Sequence, residues 1–197
     1  VDVLLAEDNL ASYQEAQKKL RADMNAGQQG ADVILARALA LPGFLDAQAA
    51  MADEADAVVK ASAGINPREA AAIKALVALA RGTVDVAHTT ISAVAGTSAP
   101  DTKSLKPAER RAEALIQTTM AFASLAKDPK HPAAIKHFDW AMTVDARSVV
   151  ASLGQAQALL AVGDVDSAVG YMERSVALEP DNVRGRLLLG ATLARRK

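Results

Sequence analysis

The stretch Val149 to Asn182, VVASLGQAQALLAVGDVDSAVGYMERSVALEPDN, decides the fold class. Two apolar segments flank Gly163-Asp164, a glycine and a helix-capping acid that suit a tight turn between paired helices. After the turn, Val165, Ala168, Val169, Met172 and Val176 recur at i, i+3, i+4 and further along one stripe, the pattern of an amphipathic helix. Pro180 then ends it, because proline cannot supply the next helical N–H. Working outward, the same columns return at an offset of 34. Leu125, Leu159 and Leu193 share one column, Ala134 and Ala168 a second, Phe138 and Met172 a third. Val144 and Leu178 share a fourth, Ala146 and Pro180 a fifth. Leu115, Thr118, Thr119, Phe122 and Leu125 form another stripe upstream. Neither stripe can be covered by its own helix pair, so such units must stack.

A period of 34 with this column set resembles the tetratricopeptide repeat, most clearly over residues 115–197 and more loosely over 68–101. Ala156, Leu159, Gly163-Asp164, Ala168, Met172, Ser175 and Pro180 stand at the family's small, bulky, turn, small, aromatic, small and proline positions. Phe122, Leu125, Ala134, Phe138 and Ala141 fit the unit before, and Leu189-Gly190 and Leu193 the unit after. Ala75, Gly82, Ala87, Ile91 and Ala99-Pro100 mark the looser unit. Ser152 and Leu159 occupy the columns where the family places its first-helix tryptophan and tyrosine. The resemblance implies an all-α, right-handed α-solenoid of antiparallel helix pairs, with about 9–10 helices.

The expected segmentation is 1–66, N-terminal helices of degenerate or non-repeat form; 67–101, a loose helix pair; and 102–114, a loop and the start of a long helix. Residues 115–148 and 149–182 are two repeats, and 183–197 is a capping or truncated C-terminal helix. Local signals set these limits. Gly27 to Gly30 breaks the first helical stretch, Pro42-Gly43 breaks the second, and Asn66-Pro67 opens a helix with proline in its first turn. Gly82 marks a turn, and the Ser-, Thr- and Pro-rich run from Gly96 to Pro107 a loop.

Composition agrees. Hydrophobic residues make up 51% of the 197, aromatics only 3%, so small residues must fill the space between closely packed helices. A net charge of −1 gives no long-range field for nucleic acid or an anionic surface. There is no cysteine, which rules out disulfides and thiol chemistry within this sequence. No apolar run approaches the roughly 18–20 residues of a membrane span, and no basic segment followed by an apolar one follows Val1. A cytoplasmic location is expected, with a periplasmic or secreted one after signal removal as the alternative. Usage of Ala, Val, Arg and Gly has a bacterial flavour.

Candidate chemistry is sparse, and no enzyme, metal or cofactor is expected. Leu4-Leu5-Ala6-Glu7-Asp8-Asn9 resembles the start of a phosphoacceptor site, but an Ala-rich helical stretch occupies the region where the second aspartate would lie. Of the three histidines, His88, His131 and His137, the last two are six apart with no carboxylate at the spacing of a recognised metal site; His131, just before Pro132 at a helix start, and His137, in the body of the same helix, are expected to face solvent or cap. Asp164-Val165-Asp166 lacks the glycine and terminal glutamate of a calcium loop. Gly27-Gln28-Gln29-Gly30 lacks the Lys-Ser/Thr of a phosphate loop.

The resemblance implies a concave groove lined by the first helix of each pair. The corresponding positions are Ala72, Leu76 and Leu79; Thr119, Ala123 and Ala126; Leu153, Gln157 and Leu160; and Leu187 and Ala191. Members of the family that clamp acidic tails carry lysine, asparagine and arginine in these columns, a set absent here. An adaptor or assembly scaffold that holds a partner helix or peptide by apolar contact is therefore the expected function. Other readings stay open: a groove filled by the segment around Ile34 to Leu41, self-association through Leu187 to Leu193, and a helical ligand-binding domain or enzyme.

Overall fold

The computed structural model describes residues 10–196, and within them the chain is all-helical, with ten helices and no strand. The string from Leu4 to Asn9 and the final Lys197 lie outside the described residues. The chain forms two compact units that divide between Val94 and Ala95.

The first unit contains α1 (Leu10–Asn25), α2 (Ala31–Leu45), α3 (Ala49–Ala61), α4 (Pro67–Ala80) and nearly all of α5 (Val84–Ala95). α1 packs on α2, α2 on α3 and α3 on α4, and α2 also packs on α4. Its core is built from small residues, Ala16, Ala36, Ala52 and Ala55 among them, interleaved with Tyr13, Leu35, Leu39 and Ile73. Small side chains let the helix axes approach closely, and polar links then fix the register. Arg21 donates to both carboxylate oxygens of Glu54 at 2.8 and 2.6 Å, joining α1 to α3. Arg37 pairs with the buried Glu69, joining α2 to α4.

Pro42-Gly43 does not break the second helix as the sequence suggests; α2 runs through both residues to Leu45. Proline removes the N–H that would bond the Ala38 carbonyl, which normally ends a helix. Here the Gln17 side-chain amide donates to that carbonyl at 2.9 Å from α1 and supplies the missing bond. Gly43 lies against α3, where an added Cβ would meet the Ala52 backbone nitrogen at 3.0 Å. The pair thus marks a close crossing of α2 and α3.

The second unit contains α6 (Pro107–Lys127), α7 (Pro132–Val144), α8 (Val149–Val162), α9 (Val165–Leu178) and α10 (Val183–Arg195). Each packs on the next, and α6 also packs on α8. Two of the expected columns lie in its core: Ala134, Phe138, Ala168 and Met172 are wholly buried, and Phe122 meets Phe138 edge-to-face at 5.2 Å, whereas Leu193, Ala146 and Pro180 of the other columns are exposed. Val149, Leu153, Ala156, Leu159, Ala168 and Met172 make one apolar cluster, with Leu188 and Leu189 of α10 packed against it. The expected turns also form. Gly163 adopts a left-handed φ of 87°, and Asp164 caps α9 through the Ser167 amide. Ser148 and Asn182, 34 residues apart, each cap the following helix by accepting from its third amide.

Candidate partner-binding surface

The positions expected to line a groove separate into buried and exposed sets. Leu76 and Leu79 belong to the first unit, with Ala72, and are buried. Thr119, Ala123 and Leu153 in the second unit are also buried, at 0%, 0% and 2% exposure. These side chains fill the interior and offer no surface to a partner in the free chain. Gln157, Leu187, Ala191 and Ala126 are exposed, and Leu160 is partly so. The physical reason lies in α6, whose residues from Glu113 to Ser124 are all buried. A helix enclosed on every side is core, whatever face its heptad pattern suggests.

Apart from Ala126 at the end of α6, the expected positions that stay open lie on α8 and α10. Leu187 is 69% exposed, the largest value among the big apolar side chains of the described residues, and Val162, Val183 and Leu193 are exposed as well. Leu160, Val165, Thr192, Arg195 and Arg196 line a hollow of about 350 Å³ between the ends of α8 and α10 and the start of α9. Gly185 holds α10 close to α9, where an added Cβ would lie 2.6 Å from the Ser175 hydroxyl. The surface combines apolar side chains with arginine at its edges and carries no nucleophile paired with a base. It can bind a complementary surface by burial. Comparison with protein-family models and with curated proteins returns no match.

One buried polar group went unforeseen. His137 does not face solvent; it is 6% exposed and bonded through Nδ1 to Gln117 Oε1 at 2.6 Å. Gln117 Nε2 donates both to the Ala95 carbonyl at 2.7 Å and to Glu113 Oε1 at 2.8 Å. The Gln117 oxygen must therefore accept, so Nδ1 carries the imidazole proton. Burial, helped by the charges of Lys136 and His131, lowers the His137 pKa from 6.5 to about 4. His131, by contrast, caps α7 as expected, accepting from the Ala133 amide. On the adjoining surface Gln155 donates to Asp139 at 2.9 Å. Desolvation lifts the Asp139 carboxyl above its usual range, and the Tyr171 hydroxyl pulls it part of the way back.

The first unit has a cleft of about 810 Å³, which the sequence did not foretell. Met24, Val33, Ala57, Val58 and Ala61 make it apolar. Ser62 donates to Asp32 beside it, so that carboxylate is already engaged. The loop from Gly27 to Gly30 signalled a break in the chain but gave no sign that a gap lay beside it. Among the described residues, no group of three His, Asp or Glu side chains comes together to hold a metal ion. No helix among them is long and apolar enough to cross a membrane.

Proposed function

We propose that this chain is a tetratricopeptide-like protein-binding module, an adaptor or assembly scaffold, whose working surface in the second unit includes the open positions Gln157, Leu160, Leu187 and Ala191. The observation that carries the reading is the exposure of Leu187 at 69% on a helix whose other side is packed in the core. An exposed leucine flanked by further apolar positions is typical of a surface that another protein covers. The partner is a helix or peptide met by apolar contact. The test is affinity purification from the native source with the wild-type chain and with Gln157→Arg/Leu187→Glu. Both positions are exposed, so helix content and melting should be unchanged. The reading expects a partner captured by wild type and lost in the variant; identical capture contradicts it.

A second reading, a helical ligand-binding domain, is favoured by the apolar cleft beside Val33 and Val58, whose size is in the range of small-molecule sites. An apolar fluorescent dye should then bind the native chain and be released by Val58→Glu. Absence of dye binding contradicts that reading.

A further inference from the structure

We propose that the outward face of α10 docks one amphipathic helix whose apolar seam is bordered by carboxylates. This rests on the protein-binding reading above and names the chemistry of the partner.

The face is defined by helical geometry. Gly185, Leu188, Leu189 and Thr192 turn inward, the two leucines onto the apolar cluster and the other two buried. At 100° per residue, Val183, Leu187, Gly190, Ala191 and Ala194 fall within a sector of about 100° on the opposite side. All five are exposed. Arg186 borders this strip on one edge, and Arg184 and Arg195 on the other. From Val183 to Arg196 there are four arginines and no acidic residue. Arg196 is tied to Asp166 of α9 and Arg184 is also engaged, so Arg186 and Arg195 supply the edge charges.

Shape and charge together select the occupant. Gly190, Ala191 and Ala194 are small, and nothing lies within 4 Å of a Cβ added at Gly190. A second helix can therefore approach to about 8–10 Å, with Val183 and Leu187 as the large knobs in the contact. Two edges of arginine call for acidic residues flanking the partner's apolar seam, at the spacing where charges flank a coiled-coil interface. A second copy of the same strip would set arginine edges against arginine edges, which is repulsive. A bilayer is poorly served, because Val183 and Leu187 are the strip's only large apolar side chains and no Trp or Phe anchors it.

The experiment uses the full chain and two synthetic amphipathic peptides with one leucine seam, flanked in one by glutamate and in the other by lysine. Fluorescence anisotropy should show the glutamate peptide binding at least about tenfold more tightly than the lysine peptide, with affinity falling as salt rises. Arg186→Glu/Arg195→Glu should reverse the preference, and Leu187→Glu should abolish binding of both. Circular dichroism of each variant checks that the fold is kept. Equal binding of the two peptides, or binding of neither, overturns the proposal. So does a concentration-dependent dimer that Leu187→Glu abolishes, or retention on phosphatidylserine vesicles in preference to the glutamate peptide. Native-source capture that depends on Leu187, with neither peptide bound, overturns this inference alone. Capture indifferent to Leu187 removes the protein-binding reading beneath it.

Discussion

α8 and α10 occupy the same place in the 34-residue period, yet Leu153 is 2% exposed and Leu187, in the same column, is 69% exposed. Both helices start from a side chain that caps the third amide, Ser148 in one and Asn182 in the other. Their surroundings differ. α8 packs on α6, α7 and α9, whereas α10 packs on α9 and reaches the common cluster through Leu188 and Leu189. In a stacked architecture a position's burial is decided by the layers on either side of it, and the residue type follows only loosely. The leucine that fills the interior of α8 becomes, on α10, the most accessible large apolar group among the described residues.

The comparison breaks most visibly under a charge. Leu153→Glu buries a carboxylate in the apolar cluster and is expected to cost more than about 4 kcal/mol, enough to unfold the second unit. Leu187→Glu, at the matching position, should stay within about 0.5 kcal/mol of wild type. Urea unfolding followed by circular dichroism compares them directly, and equal losses would erase the distinction.

A second effect probes how well the interior of the second unit excludes water. His137 is held neutral, with a folded pKa of about 4 against an ordinary 6.5. The unfolded chain therefore takes up a proton first as pH falls. The stability contributed by the neutral imidazole is fully present above about pH 6.5 and is lost progressively as pH falls toward 4. The loss is expected to reach about 3 kcal/mol. His137→Asn keeps a donor near the Nδ1 position but cannot protonate, so the difference in urea midpoint between it and wild type should shrink in acid. A difference independent of pH would show that water reaches the ring.

Glycines sharpen the contrast further. A Cβ at Gly154 on α8 would overlap the Phe138 ring, so Gly154→Ala should cost about 1–3 kcal/mol. Gly190→Ala on α10 has open space and should stabilise by about 0.5–1 kcal/mol through helix propensity alone. Thermal melts of the two variants should move in opposite directions. Smallest of all, Arg196→Ala removes the exposed pair with Asp166 and should change stability by less than about 0.5 kcal/mol.

Local features were legible in the sequence. The Gly163-Asp164 turn, the Asn66-Pro67 helix start and the His131 cap all depend on residues within a turn of one another. Pro42-Gly43 was misleading because the bond that rescues the helix comes from Gln17, on the preceding helix. The burial of His137 was hidden for the same reason, since its partner Gln117 lies on α6, across the packed interface. The candidate groove shared this limit. The resemblance places Leu76, Leu79, Thr119, Ala123 and Leu153 in groove columns with Leu187 and Ala191, but only three-dimensional packing tells which are covered. The arginine borders of α10 could be read by winding the helix, once its inner face was known.

Native-state hydrogen exchange tests the central claim, an open outward face on α10, most directly when measured with and without the glutamate-bordered peptide. In the free chain α10 amides should exchange faster than those of α8, and the peptide should slow α10 while leaving α8 unchanged. Amides of α10 as slow as those of α8 in the free chain, or unmoved by saturating peptide, would contradict the account.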